Sequence, residues 1–269
     1  MTAVAHVPLS QTTQTQGGAF LAILRRDLLV TWNDLPTFLA QVILQPLFLL
    51  LVFGKVLGAL GYTRGGYADL LFPGLLALTA VITGMQALAF PLVIEFGWTK
   101  EIEDRLLAPI STALVAVEKL LFAALRGVVA SVVMIPVGFI ILGGIPWPWS
   151  GVPLLFAMLV LASLLGAAIG LALGTAVTPN RINIVFAVAF TPLLFTGCSQ
   201  YPWPSLAALR WFQVVTAMNP MTYASEGMRA ALVPSVPHIA PWVSLIVLPA
   251  AILALVAVGI RGFYRRAVD

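Results

Sequence analysis

The stretch KEIEDRLLAPI, Lys100–Ile110, is a dense group of charges between long apolar segments. The chain has 14 basic and 10 acidic residues, and several of them crowd together here: Lys100, Glu101, Glu103, Asp104 and Arg105. Each ion costs roughly 2.5–3.5 kcal/mol at the centre of a membrane helix, so this group must face water or a wet partner surface. The spacing predicts a short helix at about 98–110, in which Leu106 and Leu107 follow the charges and Pro109 ends the helix. The residues alone leave open whether it docks a partner or is a solvated loop.

The composition around this stretch is that of an all-α integral membrane protein. Of the 269 residues, 61% are hydrophobic and 9% are charged, whereas a soluble domain has about 25% charged residues. The pI near 9.6 reflects a scattered excess of basic residues and does not indicate nucleic-acid binding. The lone Cys198 excludes an internal disulfide, and together with two isolated histidines it argues against a metal site. Residues 1–18 lack Lys and Arg and are predicted to be a polar tail rather than a cleavable signal.

A single membrane domain is expected over residues 19–269. Six segments have about the 20 apolar residues that a crossing needs, and they predict transmembrane helices at about 35–56, 70–94, 114–142, 152–177, 182–198 and 240–260. Before them, residues 19–33 are interrupted by Arg25, Arg26 and Asp27 and predict an N-terminal interfacial helix. The third segment carries Arg126, which we assign to its first turns. With that assignment, the centres of all six predicted spans contain no charged residue.

The residues before the last span, about 201–232, predict a re-entrant helical hairpin in the outer leaflet. Leu206–Met218 is apolar but too short to cross. Asn219-Pro220 then offers an N-cap and a first-turn proline for a second helix. That helix carries Glu226 and Arg229 three positions apart on one face. Plain extracellular loop helices are the alternative.

Basic residues give the orientation, because Lys and Arg are enriched in cytoplasmic loops. One side of the predicted topology holds most of them: Arg25, Arg26, Lys100, Arg105, Lys119, Arg181, Arg261, Arg265 and Arg266. The other side holds Lys55, Arg64, Arg210 and Arg229. Both termini and the charged stretch are therefore predicted to be cytoplasmic.

Polar and aromatic residues inside the spans are candidates for a cargo pathway. They occur on three of the predicted helices: Gln41, Gln45, Thr79, Thr83, Gln86, Asn183, Phe186, Phe190 and Phe195. Few polar groups among many aromatics would suit an amphipathic or lipid-like cargo. The alternative is hydrogen bonding between helices, worth about 0.6 kcal/mol per contact. On the fourth span, Gly166, Gly170 and Gly174 permit close helix packing, either within one bundle or between subunits.

Motifs for nucleotide or catalytic chemistry are missing from the sequence. There is no G-x-x-x-x-G-K-[ST], G-x-S-x-G, H-E-x-x-H or C-x-x-C. No catalytic residue is assigned, and a transporter built this way needs an external energy source. An ion-gradient carrier or channel is disfavoured by the lack of ionisable groups at mid-span. A lipid-modifying membrane enzyme would have only Glu226 and Glu95 for its chemistry.

Two segments in this order resemble the permease subunit of ABC-2 type ABC exporters, which in bacteria export drugs, antibiotics, lipo-oligosaccharides and polysaccharides. They are KEIEDRLLAPIS at Lys100–Ser111 and NPMTYASEGMRAAL at Asn219–Leu232. The first is similar to the family's cytoplasmic charged helix and the second to its Asn-Pro-x-Thr-Tyr segment before the last span. The resemblance covers nearly the whole chain, but a large extracellular domain is lacking.

The resemblance implies a transport subunit in the bacterial cytoplasmic membrane, in contact with membrane lipids, with no cofactor of its own. A separate ABC ATPase would bind ATP and Mg, and a second permease copy would complete the complex as a homodimer or paired heterodimer. Lys100–Ile110 would be the coupling helix, and spans one, two and five would form the path. The hairpin would form an outer gate, with Tyr201, Asn219, Tyr223, Glu226 and Arg229 as its residues.

Overall fold

The computed structural model describes residues 18, 21, 24–27, 29, 35–61, 66–99, 111–144 and 148–268. The regular elements in these parts of the chain are all helical, which confirms the all-α part of the predicted fold class. Most of the predicted interface helix at 19–33 lies outside the described residues, although residues 24–27 have helical backbone. Residues 100–110 also lie outside them, so the predicted coupling helix stays a prediction.

Eight main helices follow one another in the described chain. In order they are α1 Leu35–Leu49, α2 Tyr67–Ile94, α3 Thr112–Leu142, α4 Val152–Ala176, α5 Ile182–Thr196, α6 Arg210–Ala217, α7 Pro220–Leu232 and α8 Pro241–Val268. α1 continues through a π-helical segment, Leu50–Val56, into a last turn at Leu57–Ala59, and α2 continues through a π-helical segment at Glu95–Thr99. Short 3₁₀ turns lie at Trp149–Gly151, Pro179–Arg181 and Trp203–Ala208.

Five of these helices are long and apolar enough to cross a membrane. They are Pro36–Ala59, Tyr67–Gly97, Thr112–Leu142, Trp149–Ala176 and Pro241–Arg266. They correspond to five of the six predicted spans, and the chain is a multi-pass membrane protein.

The fifth predicted span is shorter than the sequence indicated. α5 has 15 residues, which at about 1.5 Å per residue is about 22 Å, against a hydrocarbon core of about 30 Å. The helix stops at Gly197, and Cys198 follows with a left-handed φ of 51°. The apolar composition of 182–198 could not reveal this stop.

α2 is the centre of the fold. Every residue from 71 to 85 is buried, because α3, α4 and α7 pack around this helix. The glycine stripe of α4 faces α2: a Cβ placed on Gly170 would lie 2.6 Å from the carbonyl oxygen of Met85, and one on Gly166 would overlap the carbonyl oxygen of Val81. The stripe therefore packs within one bundle.

We expect Gly170→Leu to destabilise the permease, because the new side chain would meet the backbone of α2. Overpacking of this kind costs about 1–3 kcal/mol or more. Denaturant titration followed by size-exclusion chromatography in detergent would measure the change. Gly54→Leu is the matched control, since a Cβ there meets only flexible side chains, the nearest being Leu142 at 3.3 Å. Equal midpoints for the two variants would contradict the packing assigned to the stripe.

The first arm of the predicted hairpin is broken rather than continuous. The 3₁₀ turn Trp203–Ala208 and α6 are separated at Leu209, where the backbone leaves the helical region. The indole of Trp203 donates to the carbonyl of Gln213 at 3.1 Å, and the Gln213 amide donates back to the carbonyl of Trp203 at 3.4 Å. This reciprocal pair holds the two pieces side by side, a tertiary arrangement that hydropathy does not encode.

Candidate functional site

A cavity of about 530 Å³ lies between α1, α2 and α3. Its polar lining comes from all three helices: Gln45, Thr79, Thr83, Gln86 and Arg126. Its apolar lining is Phe38, Val42, Pro46, Leu78, Ile82, Ala87, Phe90 and Pro91. A volume of several hundred Å³ with apolar walls and a few convergent polar groups is typical of a small-molecule site.

Arg126 is the charged group of this cavity, and it stands at the middle of α3. Its guanidinium lies 4.3 Å from the centroid of the Phe38 ring and 5.9 Å from that of Phe122. The sequence analysis placed Arg126 in the first turns of the third span, whereas the structure places it near the midpoint of the helix. The bounds of that helix, predicted at about 114–142 and found at Thr112–Leu142, were nearly right.

Neither of the ion pairs found between described residues includes Arg126. The ion pairs that join described residues are Lys119–Glu95 and Arg229–Glu226. The Nε atom of Arg126 is buried and has no hydrogen-bond partner among the described groups. The two aromatic contacts contribute about 0.5–2 kcal/mol each.

The predicted pathway residues divide into four groups, of which the aromatic pair Phe186 and Phe190 is described separately below. Four of them line the cavity: Gln45, Thr79, Thr83 and Gln86. The hydroxyl of Thr79 also donates a hydrogen bond within its own helix, to the carbonyl of Leu75 at 2.8 Å. The side chain of Gln41 lies outside the described part. Two residues of α5 point elsewhere, since they are exposed and do not line the cavity: Asn183 and Phe195.

An aromatic row connects α5 to the cavity wall. Phe90, which lines the cavity, lies 5.0 Å from Phe186 between ring centroids. Phe186 in turn stacks on Phe190 at 6.0 Å, with ring planes 14° apart. The predicted aromatic face of the fifth span therefore adjoins the cavity through Phe90 and extends it with apolar surface.

One face of α7 satisfies the carbonyl groups at the end of α5. The hydroxyl of Thr222 donates to the carbonyl of Thr196 at 3.1 Å, and that of Ser225 donates to the carbonyl of Gly197 at 2.8 Å. Arg229 continues the series and donates to the carbonyl of Cys198 at 3.1 Å. Because the last carbonyls of a helix have no partners within it, this face completes the short α5.

Glu226 and Arg229, predicted to share one face of a helix, form a fully buried ion pair on α7. Beyond its partner, Glu226 accepts from the backbone N–H of Trp203 through Oε1 and from that of Ile239 through Oε2, each at 2.9 Å. Arg229 also reaches the carbonyl of Leu70 on α2 at 3.3 Å. The pair joins α7 to α2, to the 3₁₀ turn that begins at Trp203 and to the loop at Ile239.

The other predicted gate residues also make local backbone contacts. Asn219 caps α7 as predicted: its Oδ1 accepts from the N–H of Met221 at 2.9 Å, and its amide donates to the hydroxyl of Thr196 at 2.9 Å. Tyr223 donates to the carbonyl of Ala217 at 2.9 Å. Burial raises the pKa of Tyr201 to about 12, so its hydroxyl stays protonated and donates to the carbonyl of Phe195.

The helix ends that flank residues 100–110 are joined to one another. Lys119 near the start of α3 pairs with Glu95 after α2, with Nζ 2.6 Å from Oε2. Phe96 contacts Phe263 of α8 at 5.0 Å, and the Arg266 guanidinium lies 5.7 Å from the Phe96 ring. The predicted coupling residues themselves lie outside the described residues: Lys100, Glu101, Glu103, Asp104, Arg105, Leu106 and Leu107.

Sequence reasoning missed Phe38 and Arg126 as members of the site. Arg126 could have been found as the charge that interrupts a long apolar run. Phe38 carries no such signal, because an aromatic residue in a membrane helix can equally face lipid.

Comparison with known proteins matches this arrangement to a family. Residues 18–233 match the family model for the ABC-2 type transporter. The chain is similar to "Putative transport permease ycf38" of Cyanophora paradoxa, with 28% identity over 225 residues that cover 78% of this chain and 72% of the relative. The protein of the same name from Porphyra purpurea is 28% identical over 216 residues, covering 77% of this chain and 72% of the relative. The chain belongs to the family of ABC-2 type transporters and is a membrane transport subunit of the ABC class.

Proposed function

We propose that this permease moves an amphipathic cargo, a lipid, a lipid-linked glycan or a drug, out of a bacterial cell across the cytoplasmic membrane. The work comes from a separate ABC ATPase that binds ATP and Mg and grips Lys100–Ile110 on the cytoplasmic face, where both termini also lie. Two permease copies complete the complex.

The observation that carries this proposal is the position of the cavity. Its wall is formed chiefly by α2, and its charged group is on α3. These are the two helices that lead into and out of residues 100–110, and the Glu95–Lys119 pair joins them at that end. A force applied to residues 100–110 therefore acts on helices that line the cavity.

We further propose that α5 is the sixth crossing and that the segment 201–232 is re-entrant. α5 is too short by itself, but α7 satisfies its final carbonyls, as the outer end of a short crossing requires. The outer face of α6 carries exposed apolar residues, Trp211 and Val214 among them, which suits an interfacial position. Anchored in this way by Glu226 and Arg229, the hairpin would act as an outer gate.

The two alternative functions, a lipid-modifying enzyme and an ion-gradient carrier, have weaker support. A lipid-modifying enzyme would need Glu226 as a free acid or base, and its oxygens are already occupied by Arg229 and two backbone N–H groups. A proton-driven carrier needs a carboxylate or histidine at mid-membrane depth, whereas the cavity presents Arg126.

Transport by the permease reconstituted with its ABC ATPase tests the proposal. We expect ATP-dependent movement of fluorescent NBD-labelled lipids between leaflets, measured by dithionite quenching. Phe186→Trp should change the ratio of rates for different lipids roughly tenfold, because it alters an apolar wall beside the cavity. Phe195→Trp is the matched control on the exposed face of α5. Equal selectivity in the parent and Phe186→Trp would refute the pathway, and transport without the ATPase would refute the coupling.

A further inference from the structure

We infer that the cavity between α1, α2 and α3 binds the anionic head of an amphipathic molecule, a phosphate or carboxylate attached to an apolar chain, and that Arg126 is its counter-charge. The inference names the cargo class of the proposed pathway and so rests on the proposed function. Binding, however, can be measured without the ATPase.

The first argument is the state of Arg126. Its guanidinium stands at the middle of α3, packs on Phe38 at 4.3 Å and belongs to neither of the ion pairs found between described residues. Arg229, which is fully buried, has in contrast both a carboxylate and carbonyl acceptors. A cation within a membrane-crossing helix is normally paired with an anion or placed in a functional cavity.

The second argument is what surrounds the charge. Thr83, Gln45 and Gln86 line the same cavity and offer hydroxyl and amide groups to the remaining oxygens of a phosphate or carboxylate. Arginine is suited to this task, since its planar fork can donate two parallel hydrogen bonds to one oxyanion.

The third argument is the apolar remainder of the cavity. Phe38, Ile82 and Phe90 line it. The ring of Phe90 contacts Phe186, which stacks on Phe190, so the apolar surface continues beyond the cavity. A small inorganic anion would leave these walls without contact. An anion that carries an acyl or alkyl chain would satisfy both parts of the cavity.

Equilibrium binding of radiolabelled dodecyl phosphate tests the inference. The permease is placed in nanodiscs of zwitterionic phosphatidylcholine, without an ATPase. We expect saturable binding that Arg126→Gln weakens about tenfold or more, because a charge-assisted bidentate contact is lost. Arg126→Lys should have an affinity between those of the parent and Arg126→Gln, because it keeps the counter-charge but loses the bidentate contact. Arg181→Gln is the matched control, since Arg181 is exposed at the start of α5 and its loss should change nothing.

Further measurements identify the class of ligand and keep the inference testable if Arg126→Gln does not fold. Ala87→Phe fills the cavity while keeping Arg126, and it should abolish binding. Dodecyltrimethylammonium and inorganic phosphate should not displace the probe at concentrations at which unlabelled dodecyl phosphate does. Displacement by inorganic phosphate would identify a free anion as the ligand and overturn the amphipathic assignment.

Equal affinity in the parent, Arg126→Gln and Ala87→Phe would overturn the inference entirely, as would equal binding of the cationic probe. If Arg126→Gln does not fold, binding by Ala87→Phe and the competition experiments still show whether the cavity binds an anionic amphiphile. Failure of binding alongside intact ATP-driven lipid movement would reject the anionic cargo while leaving the proposed function standing.

Discussion

Replacing Arg229 with glutamine is expected to destabilise the permease by about 3–5 kcal/mol, because Glu226 would remain as a buried charge without its partner. Arg229 is fully buried, and it also donates to the carbonyls of Leu70 and Cys198. Its loss removes contacts between α7, α2 and the end of α5 together. The measurement is the denaturant midpoint of the detergent-solubilised protein, read as the fraction that remains monodisperse.

The matched control is Arg210→Gln, at an exposed arginine that begins α6. It should leave the midpoint within experimental error, since exposed charges contribute little. Glu226→Gln should cost nearly as much as Arg229→Gln. The double variant should cost less than the sum of the single changes, because no unpaired charge is left behind. A midpoint for Arg229→Gln equal to that of Arg210→Gln would show that the pair does not hold the hairpin in place.

Much of the architecture was predictable because membrane helices have strict requirements. Five of the predicted spans are present as long apolar helices, since about 20 apolar residues in a row have few other uses. The cap at Asn219 and the shared helix face of Glu226 and Arg229 follow from local spacing, and the structure confirms both. The stripe of Thr79, Thr83 and Gln86 was visible as a helical period, and all three line the cavity.

What could not be predicted depends on tertiary packing. Helices that are apolar on every side give no indication of which face meets which neighbour, so neither Phe38 nor the Phe90–Phe186 contact could be read from the sequence. Arg126 was assigned to the first turns of its helix although the helix bounds were predicted nearly correctly, because hydropathy marks an apolar run but not which of its residues line a cavity. The early end of α5 is set by its contacts with α7, through Thr222 and Ser225.

The combined replacement of Glu101, Glu103 and Arg105 by alanine is expected to abolish stimulation of the ATPase by the permease. These charges belong to the stretch proposed to grip the ATPase, and charge complementarity at such an interface fixes register and excludes wrong contacts. The changes lie between apolar helices and not inside them, so membrane insertion and the denaturant midpoint should stay as in the parent.

The matched control replaces two charges near other helix ends, Asp69→Ala together with Arg210→Ala, one in the first turn of α2 and one at the start of α6. This variant should stimulate the ATPase as the parent does. Binding of the dodecyl phosphate probe should survive in both variants, because neither touches the cavity. Loss of probe binding in the triple variant would indicate general misfolding instead of lost coupling.

The most direct test of coupling through residues 100–110 is the rate of ATP hydrolysis by the co-reconstituted complex. The rate is measured in parallel with the parent permease and with the triple variant. We predict that the rate with the triple variant falls to that of the ATPase alone, while the variant permease remains folded in the membrane. Full stimulation by the triple variant, or nucleotide hydrolysis by the purified permease without any ATPase, would contradict it.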